Sequence, residues 1–592
     1  MSANEKVADA PQPTAHLDYD HKHDLMIQRP NASRRPSMAS RRMSGTEAMQ
    51  MVKNDASAVD DEIADFEQQL IDNPVHAPFM NPNVTLKDPR HFTWLLVAFA
   101  SMGGMLSGLD QSVISGALLY MPRDLHLNTA QTSLTSSAVP LGAIGGALIL
   151  GPTNEAFGRK AAIIIALAFY TVGGALEAGA INYGMIVAAR VLLGIGLGLE
   201  GGTVPVYVAE SVEKKYRGNL VSLYQLMIAF GEVIGYAVAA MFVDVDGGWR
   251  YMLGSSLVFS TIMLIGMLFM PESPRMLMHK NKPLLAFAVW KRIRGTVSEE
   301  NRREFFIMHH AVDSDTNVGS AEMKRTRMVW LDFFTNPRAR RSIIYANLMI
   351  LLGQMTGINA ILYYLSTLMN QIGFDRRTSV FMSLVGGGSL LLGTIPGVLL
   401  MERFGRRFWA LVTLPCFFIG LVLVGVSYQL NTLVATEGVY LTGIILYNGF
   451  FGSYACLTWV LPSEVFPTYL RSYGMESTDV NLFFCSWLVT YFFAQMQRAM
   501  GQTGLTLGFY GGIAVVGWFY QLLFMPETKN KTLEEIDLIF SKPTKELVKE
   551  NLRNTSQTLS ALMHGRFSEV FSPSEETHMV VKTESRSGEV KV

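Results

Sequence analysis

The chain has 592 residues, of which 49% are hydrophobic and only 17% charged, with Lys+Arg and Asp+Glu at 49 each. An average soluble chain is roughly one-quarter charged, so this composition excludes a soluble domain, a disordered protein and a fibre. Zero net charge gives no case for nucleic-acid binding. Cys416, Cys456 and Cys485 are scattered through apolar runs, which argues against a disulfide framework and leaves no CxxC metal spacing.

Residues 1–91 read as a polar N-terminal tail, mostly disordered, with no cleavable signal sequence. Within it, Val59 to Ile71 fits an amphipathic helix ahead of the membrane. Arg34-Arg35-Pro36-Ser37 and Arg41-Arg42-Met43-Ser44 repeat a basophilic kinase pattern, so a kinase acting on Ser37 and Ser44 is a candidate partner. A merely solvated basic tail is the equal alternative.

Twelve apolar spans follow, near 92–120, 132–151, 161–180, 184–206, 218–243, 251–270, 343–370, 378–401, 408–428, 438–462, 473–497 and 504–525. About 20 apolar residues cross a bilayer as a helix, because a helix satisfies its own backbone groups in lipid. The expected fold is therefore an all-α membrane protein. Residues 92–270 form one six-helix bundle and 343–525 a second. They are joined by a loop, 271–342, with short helices, for example around Leu284 to Arg294. Residues 526–592 form a C-terminal tail.

Orientation follows from Lys and Arg in the loops. Arg159, Lys160, Lys214, Lys215, Arg217, Arg403, Arg406, Arg407 and Arg471 lie on one side; Arg123, Arg250, Arg376, Arg377 and Arg498 lie on the other. The 271–342 loop adds fourteen cations to the first side. That side, with both termini, is expected to be cytosolic.

The chain also repeats itself. Phe157-Gly158-Arg159-Lys160 recurs as Phe404-Gly405-Arg406-Arg407, 247 residues later. Glu210 with Arg217 recurs as Glu464 with Arg471, and Pro271-Glu272-Ser273 as Pro526-Glu527-Thr528. Gly108-Leu109-Asp110 matches Gly357-Ile358-Asn359. Matches at nearly one offset imply two homologous halves around an axis normal to the membrane, a transporter architecture with its site at the interface. The repeated carboxylates and guanidiniums sit at the inner helix ends. Arg159, Glu210, Arg217, Arg406, Glu464 and Arg471 are thus candidate inner-gate residues that lock and release those ends.

Charge within the hydrocarbon is costly, by about 2.5–3.5 kcal/mol on insertion scales. Asp110 and Arg190 fall at similar depths in spans 1 and 4, so they can pair. Protonating Asp110 would break the pair, which suits proton coupling; a permanent structural ion pair is the alternative. Glu232, on the same face as Gln225, could line a cavity. Glu200, Glu476 and Asp479 stay open between cavity lining and helix packing, and Glu177 reads as a helix-end residue. The neutral set Gln225, Gln354, Asn359, Tyr363, Asn448 and Trp459 offers amides that match sugar hydroxyls and aromatic faces that cover a ring, with interhelical hydrogen bonding as the alternative.

Glycine clusters such as Gly142-Gly145-Gly146, Gly194-Gly196-Gly198 and Gly386-Gly387-Gly388 fit close helix approach. No P-loop, HExxH or GxSxG sequence is present, so no enzyme, cofactor or metal is expected.

These motifs resemble the sugar porter family of the major facilitator superfamily, and more closely its fungal sugar and polyol members, over roughly 92–540. Gly108-Leu109-Asp110 through Ile114-Ser115-Gly116 is similar to the first-helix motif. The two Phe-Gly-Arg loops, Pro205-Val206-Tyr207-Val208-Ala209-Glu210, Pro271-Glu272-Ser273-Pro274-Arg275 and Pro526-Glu527-Thr528-Lys529 complete the resemblance. It implies the major facilitator fold and a proton site at Asp110 beside Arg190. It also implies substrate contacts from Gln225, Gln354, Asn359 and Trp459, and an inner gate of Glu210, Arg217, Glu464 and Arg471.

The sequence departs from the family pattern at Glu155-Ala156, Gly353, Glu232, Glu476, Asp479 and Asn481. These departures leave room for a polyol such as myo-inositol, an acidic sugar derivative or a disaccharide. The expected activity is proton-coupled import of a sugar or polyol across the plasma membrane. A facilitative uniporter and a non-transporting nutrient sensor are the alternatives.

Overall fold

The computed structural model describes residues 56–74, 89–212, 217–322, 331–467, 470–529, 536 and 539–564. Ser37 and Ser44 lie outside them, as does the side chain of Arg217. The described residues are almost entirely helical. A first helix, α1 (Ala56–Asp72), precedes the spans α2 (Pro89–Ala117), α3 (Thr129–Leu148, continued by Leu150–Phe157), α4 (Arg159–Ala178), α5 (Tyr183–Ser211) and α6 (Arg217–Met241). Next come α7 (Ser256–Phe269, preceded by Gly248–Gly254) and two helices of the central loop, α8 (Pro283–Ile293) and α9 (Glu299–Glu322). The second series is α10 (Pro337–Gln354), α11 (Arg376–Phe404), α12 (Arg406–Ser427), α13 (Leu433–Val465), α14 (Arg471–Thr503) and α15 (Gly511–Phe524), followed by α16 (Thr544–Met563).

By length and apolar composition, ten helices among the described residues can cross a bilayer, and the bent pair within α3 makes eleven. One of the ten, Tyr473–Phe524, has 52 residues. That is about 78 Å of helix, more than twice the hydrocarbon core of ~30 Å. It breaks at Gly501 (φ 72°, ψ 168°), so it makes two crossings and the total is twelve. Outward-facing Val258, Ile262, Ile265 and Phe269 on α7 follow the helical repeat and form a lipid-facing stripe.

The repeated motifs have a local physical cause. Gly158 (φ 97°) and Gly405 (φ 93°) each stand between two helices in the left-handed region that glycine tolerates. The following helix starts with unsatisfied N–H groups. Glu272 accepts from the Lys160 N–H at 3.1 Å. In the other half Glu527 accepts from the N–H groups of Arg406 at 3.0 Å and Arg407 at 3.1 Å. A side chain at either glycine would collide with these carboxylates. The Phe-Gly-Arg and Pro-Glu-Ser/Thr motifs are thus two parts of one helix cap, built once in each half.

Small residues set the helix crossings. Gly142 and Gly146 of α3 lie against the backbone of Val191 and Ile195 of α5, and Gly194 and Gly198 answer against Val139 and Ala143. Gly145 and Gly388 meet nothing within 4 Å, so not every clustered glycine serves contact. Between the halves, α6 packs on α11 and α3 on α14.

Span 7 is interrupted. α10 ends at Gln354, and a short helix, Ile358–Tyr363, restarts after Gly357 (φ 92°), whose hydrogen faces the ring of Tyr510. Irregular backbone at this depth survives because it is enclosed by protein. The break turns Gln354 and Asn359 toward the middle of the bundle.

Candidate functional site

A cavity lies between the halves, with about 770 Å³ of space between atoms, its mouth included. Among its lining residues are six of the seven predicted substrate contacts: Gln225, Glu232, Gln354, Asn359, Tyr363 and Trp459. Asn448 is the exception. It is fully buried and donates from Nδ2 to the Gly386 carbonyl at 3.1 Å, so it ties α13 to α11 rather than facing the cavity. Thr458, on the same helix as Trp459, lines the cavity instead.

The polar groups of the cavity are ordered by one another across the interface of the halves. The Trp459 indole N–H donates to Gln225 Oε1 at 2.8 Å, and the Tyr224 ring packs edge-on against Trp459 with centroids 5.0 Å apart. Asn359 donates to Gln354 Oε1 at 2.6 Å and accepts from Gln111 at 3.2 Å. These amides retain donor and acceptor capacity for a ligand rich in hydroxyls. Glu232 is buried, and its Oε2 has no hydrogen-bond partner among the described residues. Gln111 and Tyr224 were not among the residues the sequence singled out.

On the α2 side, Ser115 meets Ser366 at 3.2 Å and Tyr236 donates to the Leu362 carbonyl at 2.9 Å. These bonds hold the halves together toward the end of the bundle remote from α8 and α9.

Arg190 is fully buried. Its Nη2 lies 3.4 Å from Asp110 Oδ2, as the matched depths predicted, and its Nη1 lies 2.5 Å from Glu177 Oε1. Glu177 stands one residue from the end of α4, as expected of a helix-end residue, and in addition it is completely buried and makes the shorter of the two contacts. The end of α4 is covered by the next elements, with Arg250 donating to the Ala180 carbonyl at 3.2 Å. Asp110 does not line the cavity, but its neighbour Gln111 does. A proton on Asp110 would leave the guanidinium paired with Glu177, so the cation never becomes isolated in the interior.

Of the other buried carboxylates, Glu200 nestles against Gly103, Asp479 against Gly202 and Glu476 against Gly151. None of the three lines the cavity.

At the end carrying α8 and α9, each half holds its own ion pair. Arg159 binds Glu210 at 3.0 Å, and Ser273 donates to the second oxygen of Glu210. Arg406 binds Glu464 at 2.6 Å and Glu402 at 2.8 Å, and Thr528 donates to Glu464 at 2.7 Å. Both pairs are internal to a half, so they brace each bundle rather than bolt one to the other. Arg471 is half-buried at the start of α14. A direct link across the halves at this end runs from Tyr473 to Glu155 at 3.4 Å.

Comparison with known proteins agrees with this arrangement. The family described as "Sugar (and other) transporter" matches residues 96–540. The "Myo-inositol transporter FST1" of Gibberella moniliformis is 62% identical over 89% of this chain and 92% of its own length. The human "Proton myo-inositol cotransporter" is 30% identical over 76% of this chain and 82% of its own. Among solved structures, the major facilitator superfamily proton:xylose symporter XylE superposes with a TM-score of 0.65 at 24% identity, covering 76% of this chain and 99% of its own, which bears on the fold. A duplicated helical bundle, a hydroxyl-compatible cavity between its halves and a family match spanning both place this chain in the sugar transporter family.

Proposed function

We propose that the chain imports a polyol of the myo-inositol class by proton symport, alternating the central cavity between the two sides of the plasma membrane. The observation that carries this reading is the cavity itself: four amide or indole side chains from both halves, Gln225, Gln354, Asn359 and Trp459, joined pairwise by hydrogen bonds around a space that also exposes Glu232. A ring bearing a hydroxyl on every carbon matches an amide-rich lining better than a deoxygenated or linear solute does. The high identity to a fungal protein named as a myo-inositol transporter supports the same substrate class.

Asp110 is the proton site in this reading. Its neutralisation weakens the contact to Arg190, frees α2 from α5, and changes how α2 presents Gln111 to Asn359. The Arg159–Glu210 and Arg406–Glu464 pairs hold the inner ends of each bundle rigid while the bundles rock. Both termini and the helices of the central loop lie in the cytosol, following the cation excess. A kinase acting on Ser37 and Ser44 would add charge to the cytosolic tail.

Radiolabelled myo-inositol uptake into vesicles, with and without an inward proton gradient, tests the reading against a panel of hexoses, pentoses and disaccharides. Gradient-driven accumulation selective for inositol is expected; hexose preference would exclude the substrate assignment. A uniporter is the second reading. It is favoured by the Glu177 contact, which could keep Arg190 neutralised whatever the state of Asp110.

A further inference from the structure

The helix α1 is not a free tail element. Val59, Ile63 and Phe66 form a buried stripe at helical spacing. Phe66 stacks on Phe287 of α8 at 5.3 Å and meets Phe305 of α9 edge-on at 5.5 Å. Glu67 pairs with Lys291 at 2.9 Å and Asp60 with Arg302 at 3.2 Å. In the middle of this contact Glu62 presents one oxygen to His309 Nδ1 at 2.9 Å and the other to His310 Nε2 at 3.0 Å.

Two consecutive helical residues ordinarily point about 100° apart. Here they converge on one carboxylate because His309 uses the nitrogen near its backbone and His310 the one far from it. The rings are held in that aim. His309 is flanked by Phe66 at 5.3 Å, and His310 lies against Phe306 at 4.5 Å. The three ligand atoms lie within 4.8 Å of one another.

We propose that Glu62, His309 and His310 form a divalent transition-metal site, suited to zinc, that clasps α1 to the helices of the central loop. Two imidazole nitrogens and one carboxylate oxygen are the donor set of an open tetrahedral zinc site, with water as the fourth ligand. Bonds of 2.0–2.1 Å to such an ion set neighbouring ligand atoms about 3.3 Å apart, and the three atoms already lie within 4.8 Å of one another, so side-chain rotations alone can bring them onto one ion. Imidazole donors select against magnesium and calcium, which take oxygen ligands. Glu62 and His309 are only partly buried, which leaves an entry path and room for the water. The consequence reaches the transport machinery: Arg294, at the end of α8, donates to the Ser211 and Val212 carbonyls at the end of α5, the helix that carries Glu210. A metal that fixes α1 on α8 and α9 thereby stiffens the inner end of the first bundle.

The test uses the full chain in detergent, stripped with chelator and titrated with zinc chloride. Bound zinc is read after dialysis, and amide exchange is followed over residues 56–72 and 299–310. His16, His21 and His23 of the tail remain as a constant background, so the readout is the difference between variants. Zinc, but not magnesium, is expected to slow exchange in α1 by about tenfold, with one more zinc bound than in His309→Asn/His310→Asn. If that double variant exposes α1 even in chelator, His310→Gln alone, which keeps the Phe66–His309 contact, gives the reading through loss of the zinc response. Equal zinc binding and equal exchange in wild type and variants, or no response of α1 to zinc, overturns the proposal.

Discussion

Arg190 holds Glu177 at 2.5 Å, closer than its contact with Asp110 and wholly shielded from solvent. Two carboxylates thus share one guanidinium, and their roles separate by distance. In the proposed reading, Glu177 is the permanent counter-ion and Asp110 the exchangeable one.

Removing the permanent partner should cost stability more than coupling. Glu177→Ala leaves a buried guanidinium with only the longer contact to Asp110, and truncating one partner of a buried pair costs about 3–5 kcal/mol. Thermal unfolding in detergent should show a marked loss for Glu177→Ala and a smaller one for Asp110→Asn. Equal losses would mean that the two carboxylates do not differ in role.

The bond from Trp459 to Gln225 joins the halves across the cavity. Trp459→Phe keeps the aromatic face but removes the donor. A typical net hydrogen bond is worth about 1 kcal/mol, so KM for the polyol should rise about fivefold. Gln225→Ala should match it, and the double variant should be less than additive because one bond underlies both. Fully additive effects would place the two side chains in separate roles.

Asn448 and Asn359 offer a contrast between two amides of one predicted set. Asn359 lines the cavity, whereas Asn448 bonds Gly386 behind it. Asn359→Ala should raise KM about tenfold or more. Asn448→Ala should leave KM within about twofold while lowering stability by about 1–3 kcal/mol, the cost of orphaning a buried group. Substrate-dependent kinetics alongside melting curves distinguish these outcomes.

Glu464 receives both Arg406 and Thr528. Glu464→Gln keeps the shape and loses the charge, so the inner end of the second bundle loosens. The maximal transport rate should fall severalfold with substrate affinity unchanged, measured as turnover against equilibrium binding. A change in affinity alone would relocate Glu464 to the binding step.

The sequence carried the architecture because hydropathy and repetition are chain-local signals. The two Phe-Gly-Arg motifs were legible as a repeat, and the structure supplies their reason in the positive φ of Gly158 and Gly405 and the caps from Glu272 and Glu527. Six cavity residues were legible because amide, carboxylate, phenol and indole groups within apolar helices are conspicuous. Asn448 shared that signal and lies elsewhere: in a helix buried on nearly every side, periodicity does not reveal which face meets the cavity. Glu177 was legible as a helix-end residue, but its burial against Arg190 was not. The Gly248–Gly254 helix and its loop cover that end, a long-range contact no local pattern encodes. The convergence of Glu62 on His309, 247 residues away, was invisible for the same reason.

The most direct test of proton coupling is myo-inositol accumulation in proteoliposomes under an inward proton gradient, comparing wild type with Asp110→Asn. The account predicts concentrative uptake by the wild type and none by the variant, which nevertheless exchanges labelled for unlabelled inositol across the membrane. Concentrative uptake by Asp110→Asn equal to that of the wild type would contradict it.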